Sequence, residues 1–283
     1  MSLTRPLLAV VVPTFRAASV LEGALASLAA QDFRDFEVIV SDGASPDGSV
    51  ALAEQWRERL PALCIDSRPD SGVYDAINRG VRLARASWFL VLGADDRLHA
   101  PTTLGIAAMA LLDAPPGVEL VHGDVRMMSA NQTGTPAGER YAGPMSFDRL
   151  LRTNLCQQCI FYRRTLFDAL GGFDLRFPLY ADWDFNLRAA VRSAPRWIDL
   201  VVADYAADGM SATHADEAFL AARPAWLQQV LIEHRDDPRL RPAIRHLVAE
   251  ARLARKRRDW RGWAELRWLH LRLKLGLPVR LRA

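Results

Sequence analysis

Short apolar runs rich in β-formers alternate with helix-patterned stretches through the first 113 residues. The run LLAVVV precedes a helical pattern over Ala18–Ala30, and FEVIVS precedes Gly48–Leu60. ALCID precedes Tyr74–Arg85, and SWFLVLG precedes Pro101–Asp113. This alternation predicts an α/β fold with a mainly parallel central sheet flanked by helices. VELVHGD adds an edge strand. Ser129 to Pro144 is polar and Gly-rich, long for a connection inside a compact domain, and reads as a functional or mobile loop. Beyond it, LCQQCIFYRRTLFDALGGFD predicts strand, turn, short helix and Gly stop, and Asp182–Arg192 a helix entered through an acidic N-cap. RWIDLVVADY is a last strand. From His214 onward the pattern is helical, with interruptions near Pro238, Pro242 and Pro278. Two parts follow: an α/β domain over residues 1–213 and a helical, basic C-terminal extension over 214–283.

In an open parallel sheet, ligands bind beyond the carboxyl ends of the strands, so the residues that directly follow each run carry the most information. Here they are polar. Pro13-Thr14-Phe15 follows the first run and Ser41-Asp42-Gly43 the second. Arg68-Pro69-Asp70-Ser71-Gly72 follows the third and Asp95-Asp96 the fourth. No GxGxxG or GxxxxGK[ST] occurs, which removes dinucleotide-binding and P-loop readings. Asp95 and Asp96 are adjacent like charges at a strand end, and they repel unless a cation lies between them and a ligand. Mg²⁺ or Mn²⁺ bridging to phosphates suits them, because such ions need only one or two protein carboxylates. The competing reading is a helix cap or a solvated turn.

The order and spacing of VVVPTF, VIVSDGASPDGS, RPDSGVYDAINRGVRLARASWFLVLGADD and GGFDLRFPLYADWDFNLR resemble the family-2-type inverting glycosyltransferases of the GT-A fold, over roughly residues 7–210. Within that family the likeness is to bacterial enzymes that build exopolysaccharide units, such as the colanic-acid type. The resemblance implies a nucleotide-diphosphate sugar bound across the strand ends. Pro13, Thr14 and Phe15 would line base and ribose, and Asp42 and Asp70 would accept hydrogen bonds from them. Ser71 and Gly72 would allow close backbone approach, and Asn78 would face the donor. Asp96 would be the principal ligand of Mn²⁺ or Mg²⁺, and Asp95 a ribose contact or indirect support. The family's D-x-D or D-D-D motif begins here with Ala94. The implied reaction is direct displacement by an acceptor hydroxyl, with a carboxylate as general base. The matching stretch reads Ala181-Asp182-Trp183-Asp184, which implies Asp182 as base with Asp184 in reserve.

Composition divides the chain further. Residues 241–283 hold 13 Arg or Lys against 3 acids, a charge of +10, whereas residues 1–240 carry −7. Within RKRRDWRGWAELRWLHLRLK, Trp260, Trp263 and Trp268 and several leucines lie among eight basic residues, a composition suited either to an anionic membrane surface or to packing with a solvated basic face. No nucleic-acid module is present. No signal peptide or membrane-crossing run is read in the chain, and three cysteines suggest no disulfide framework, so the expected location is cytoplasmic, peripheral on the inner face of the cell membrane. Cys156 and Cys159 read as plain thiols. His122 and Asp124 are candidates to face the acceptor, and Gln157 stands where related enzymes often carry His. His214 is left outside the metal set. The expected partners are a nucleotide-diphosphate sugar and a glycan or lipid-linked acceptor. The alternatives are a nucleotidyltransferase-like enzyme and a non-catalytic nucleotide-sugar-binding or scaffold protein.

Overall fold

Each apolar run named above forms a strand. The computed structural model describes residues 5–129, 135–206 and 214–277. In chain order the elements are β1 (Leu8–Thr14), α1 (Leu21–Ala29), β2 (Phe36–Asp42), α2 (Ser49–Glu54), β3 (Leu63–Ser67), α3 (Val73–Leu83) and β4 (Trp88–Val91). Then come β5 (Arg97–Leu98), α4 (Thr103–Leu112), β6 (Leu120–Met127), β7 (Arg140–Tyr141), α5 (Phe147–Leu150), β8 (Ile160–Arg163), α6 (Arg164–Leu170), α7 (Ala181–Arg192) and β9 (Arg196–Tyr205). The extension adds α8 (Glu217–Glu233), α9 (His246–Lys256) and α10 (Trp260–Lys274).

The strands form one sheet in the order β3-β2-β1-β4-β8-β6-β9-β5, with β7 paired to β6. The central sheet is mainly parallel as expected, though not wholly so. β3, β2, β1 and β4 run parallel, as do β6 and β9, but β8 is antiparallel to both β4 and β6, and β5 to β9. The sheet is mixed. VELVHGD is not an edge strand: β6 pairs with β7, β8 and β9 and is almost wholly buried. Its polar residues are tolerated there because Asp124 accepts from Arg140 (2.6 Å), Gly143 N (2.8 Å) and the Trp197 indole (3.1 Å). The stretch read as a single loop contains β7, while residues 130–134 lie outside the described set.

Parallel register brings the functional rim into line. Thr14 lies beside Asp42, and Asp42 beside Ser67, so three strand ends finish level. Five rings anchor the other half of the cleft. Phe89 on β4 stacks on Tyr162 of β8 at 5.1 Å, Tyr162 meets Phe185 of α7 at 5.3 Å, and Phe173 lies 4.7 Å from Phe185, with Phe167 at the cluster's edge. Such aromatic pairs each contribute about 0.5–1.5 kcal/mol beyond area burial, and they fix α7 against the strand that follows the cleft. Gly171 and Gly172, at φ of 77° and 83°, turn the chain out of α6 into Phe173 in the left-handed region that favours glycine.

The extension shares the body's apolar cluster through Phe219, Leu227, Leu247, Ala251, Leu266 and Leu269. Asp148 of α5 accepts from Arg245 and from His246 Nε2 (2.9 Å), and Arg223 pairs with Glu250 at 2.7 Å. The expected boundary at 213/214 borders residues 207–213, which lie outside the described set, as does Pro278. α8 ends before Pro238, and Pro242 opens a short 3-10 helix, as the sequence predicts.

Candidate active site

The donor side is built on the level strand ends. Asp42 is fully buried, and its Oδ2 accepts from Ser45 N (2.8 Å) and Ser67 Oγ (2.6 Å). Its Oδ1 is buried with no hydrogen-bond partner in the described structure. A buried acceptor left unmade costs about 1–3 kcal/mol, so a ligand N–H or O–H arriving there is rewarded. Phe15 and Asp70 close in around Gly43. A Cβ on Gly43 would come within 2.7 Å of Asp70 Oδ2 and 3.1 Å of the Phe15 ring, so only glycine lets these groups converge. The Phe15 ring is 59% exposed, an open face for a flat ligand.

Arg79 of α3 holds this corner. It donates to the carbonyls of Arg68 (2.9 Å) and Asp42 (3.0 Å) and lies 3.4 Å from Asp66. Ser71 closes its turn through Asp75 (3.0 and 3.1 Å), and Gly72, at φ 133°, precedes α3 with its N–H on Asp70 Oδ1 (3.0 Å). The Thr14 hydroxyl bonds its own strand at Val12 O (3.2 Å) beside a half-buried Pro13, so any donor contact from this pair is by backbone or ring. Asn78 corrects the expectation. Its amide gives Nδ2–H to Phe173 O (2.8 Å) and takes Phe173 N–H at Oδ1 (2.9 Å), with 3% exposure, so it latches α3 to the GGFD turn and does not face the donor.

Asp95 and Asp96 follow β4 on a turn over Gly93, whose missing Cβ would meet Asp96 Oδ2 and lie 2.9 Å from Asp95 Oδ1. Asp95 is exposed. Asp96 is 1% exposed and accepts from Gln158 Nε2 (2.7 Å) and Ala206 N (3.1 Å). Burial, and then the neighbouring Asp95 charge, push the Asp96 carboxyl up to about 7. An all-oxygen pair with repelling charges, one member reaching solvent, fits a divalent cation that completes its shell with phosphates. Among the described residues no group of three or more His, Cys, Asp or Glu forms a metal cluster.

Across the cleft, Asp182 lies in the first turn of α7. The cap position is Tyr180, not Asp182, and its carboxylate turns inward. Oδ1 accepts from Tyr74 OH (2.8 Å) and Oδ2 from Asn154 Nδ2 (2.8 Å). Asn154 Oδ1 in turn accepts from Asn186 (3.0 Å), and Asn186 Oδ1 from Tyr162 OH (2.8 Å), which ties the carboxylate to the ring cluster. Burial raises Asp182 to about 6, against the lowering effect of these hydrogen bonds. Asp184 is engaged by Arg188 (2.7 Å) and lines a separate cavity of about 480 Å³ with Phe177 and Trp226, which removes it as the reserve base.

Cys156 joins the two sides. It lies between Asn154, which bonds Asp182, and Gln158, which bonds Asp96, and its thiol is pushed up by burial and then by both carboxylates. Tyr205 is raised by burial, then by Cys156, Asp96, Asp182 and Asp95. The thiols are free, and Cys159 Sγ donates to Cys156 O (3.1 Å), in keeping with plain thiols. His122 and Asp124 are buried rather than presented to an acceptor, and burial pushes the His122 imidazole below its usual range. His214 is exposed at the entry to α8. Sequence reasoning missed Tyr74, Arg79, Asn154 and Gln158. It singled out Gln157, but Gln158 is the residue that reaches Asp96. Nothing in two adjacent glutamines tells which one a 3-10 turn aims at the cleft.

The family model for glycosyl transferase family 2 matches residues 9–171. PGL/p-HBAD biosynthesis glycosyltransferases of Mycobacterium bovis and Mycobacterium tuberculosis are 41% identical over 224 residues, covering 77% of this chain and 84% of theirs. Among solved structures, S. aureus TarS 1-349 in complex with UDP-GlcNAc aligns with TM-score 0.65 at 16% identity, over 98% of this chain and 94% of that one. The mannosyltransferase PcManGT of Pyrobaculum calidifontis, in complex with GDP-Man and Mn²⁺, aligns with TM-score 0.59 at 20% identity, over 96% and 87%. At these identities the structural likeness carries the GT-A fold alone. With the family match spanning more than half of the chain and close relatives so named, the chain belongs to glycosyl transferase family 2 and is a glycosyltransferase.

Proposed function

We propose that this enzyme moves a sugar from a nucleoside-diphosphate donor to a hydroxyl of a lipid-linked or polysaccharide acceptor, with inversion, at the inner face of the cell membrane. The observation that carries the reading is Asp182, a partly buried carboxylate held near 6 by its surroundings and bonded to Asn154, while Gln158 on the same short segment bonds Asp96. Such a base is largely ionised at neutral pH yet still basic enough to take a proton.

The donor base would lie on Phe15 and bond Asp42 Oδ1 and Asp70. The diphosphate would be directed to Asp95 and Asp96, where Mn²⁺ or Mg²⁺, when bound, supplies charge neutralisation for the leaving group. The acceptor oxygen attacks the anomeric carbon from the side opposite the diphosphate. The new C–O bond forms as the bond to the diphosphate breaks, and the acceptor proton passes to Asp182. Tyr74 and Asn154 hold the receiving carboxylate in place throughout. A nucleotidyltransferase reading gains nothing from the site, which lacks a Gly- and Lys-rich phosphate loop after β1.

The test is a thermal-shift series with UDP-, GDP- and dTDP-sugars, each with and without Mn²⁺, followed by the anomeric configuration of the product. One donor is expected to stabilise the protein in a metal-dependent way, by about 2.7 kcal/mol at a hundredfold excess over Kd, and Asp96→Ala to abolish that effect. Equal stabilisation of Asp96→Ala, or a retained anomeric configuration, contradicts the proposal. The mycobacterial relatives are named for PGL/p-HBAD biosynthesis, so acceptors of that pathway are the first to try.

A further inference from the structure

α10 has two apolar faces, and only one is used. At about 100° per residue, Leu266, Leu269 and Leu273 lie on one side, where the first two are 3% exposed against the rest of the extension. On the opposite side Trp260, Leu271 and Trp268, with the capping Leu275, occupy a sector of about 80° and are 59, 54, 50 and 59% exposed. Trp263 is drawn in against the core. Arg267 and Lys274 border the outer stripe on one flank and Arg261 on the other, and Arg272 lies over the Trp268 ring at 4.9 Å. The preceding turn adds Arg255, Lys256, Arg257 and Arg258, all exposed, while the exposed acids nearby are Asp259, which caps α10, and Glu265, which pairs with Arg261.

We propose that this outer stripe is the surface by which the protein lies on an anionic lipid bilayer, with Trp260, Trp268, Leu271 and Leu275 entering the interface and the flanking cations meeting lipid phosphates. The proposal deepens the membrane partner suggested above and rests on it. Charge complementarity decides the occupant. A second copy would bring one set of cations against another, and a nucleic acid would leave Leu271 and Leu275 between phosphates with nothing apolar to cover them. Among the described residues no helix is long and apolar enough to cross a membrane, so contact by this chain is of the surface type. The stripe spans roughly 22 Å along the helix, room for several headgroups.

The full chain is to be sedimented with vesicles of phosphatidylcholine alone and with added phosphatidylglycerol, at low and high salt. Wild type is expected to bind the anionic vesicles, less so in high salt, and Trp260→Ala/Trp268→Ala to lose about tenfold or more of that partition with its Tm and donor-induced stabilisation unchanged. Met109→Ser/Leu112→Ser, on the exposed apolar but cation-poor face of α4, serves as the control and should bind like wild type. Wild type that ignores anionic vesicles overturns the membrane partner itself. A double variant that binds like wild type overturns the assignment to this face. A concentration-dependent dimer, or a shift of a duplex DNA probe, that the same substitutions abolish gives the face to another occupant. Donor-induced stabilisation, read on the same samples, reports separately on the transferase reading.

Discussion

At the scale of single residues, the site turns on carboxylates whose partners decide what they can do. Asp42 is fully buried and keeps an unused oxygen, whereas Asp182 is partly buried, has both oxygens engaged and sits at about 6. A base works only when ionised, so kcat/KM for transfer should rise with pH through about 6 and level off above it. Tyr74→Phe removes a hydrogen bond that favours the ionised form, so the acidic limb should move to higher pH while donor Kd stays the same. A pH profile of the variant that overlays wild type would separate Tyr74 from the base. Much of this was readable in the chain, because residues after apolar runs must meet either solvent or ligand. The orientation of each was not. Asp182 and Asp184 are two apart in one acidic cluster, and only their places on α7 turn one toward Tyr74 and the other toward Arg188.

At the scale of elements, the strands and helices of the first half follow from hydrophobic period, and their strand ends from Pro, Asp and Gly at the stops. What the period does not encode is direction. β8 carries the same continuous apolar run as its parallel neighbours yet runs against them, and β6, with His122 and Asp124 inside it, is central because distant Arg140 and Trp197 satisfy Asp124. The Asn78 contact is likewise long-range, spanning from α3 to Phe173. Asn78→Ala is expected to lower stability by about 2–4 kcal/mol, since it strips the partners from both the N–H and the C=O of buried Phe173, and to leave donor affinity intact. Weakened donor binding at an unchanged Tm would restore Asn78 to the donor site. Gly172→Ala should act on the same joint: at φ 83° its new Cβ would fall 2.8 Å from Asn78 Oδ1, with a cost of about 1–3 kcal/mol read by denaturant unfolding.

At the scale of the whole molecule, an acidic body and a basic extension are joined through one apolar cluster, and the contacts of Asp148 with Arg245 and His246 cross between them. The charge division was plain in the sequence, but the packing of α10 was not, because a helix with leucines on most sides shows no single stripe. The active-site cleft and the outer face of α10 are separate surfaces, so transfer to a soluble acceptor should not require the latter. The central claim is that Asp182 takes the acceptor proton while the donor is held elsewhere. The measurement that bears on it most directly sets transfer rate beside donor affinity in Asp182→Asn. The account predicts a fall of about 10²–10⁴ in kcat with donor Kd within about twofold of wild type. Transfer near the wild-type rate, or donor binding lost together with transfer, would contradict it.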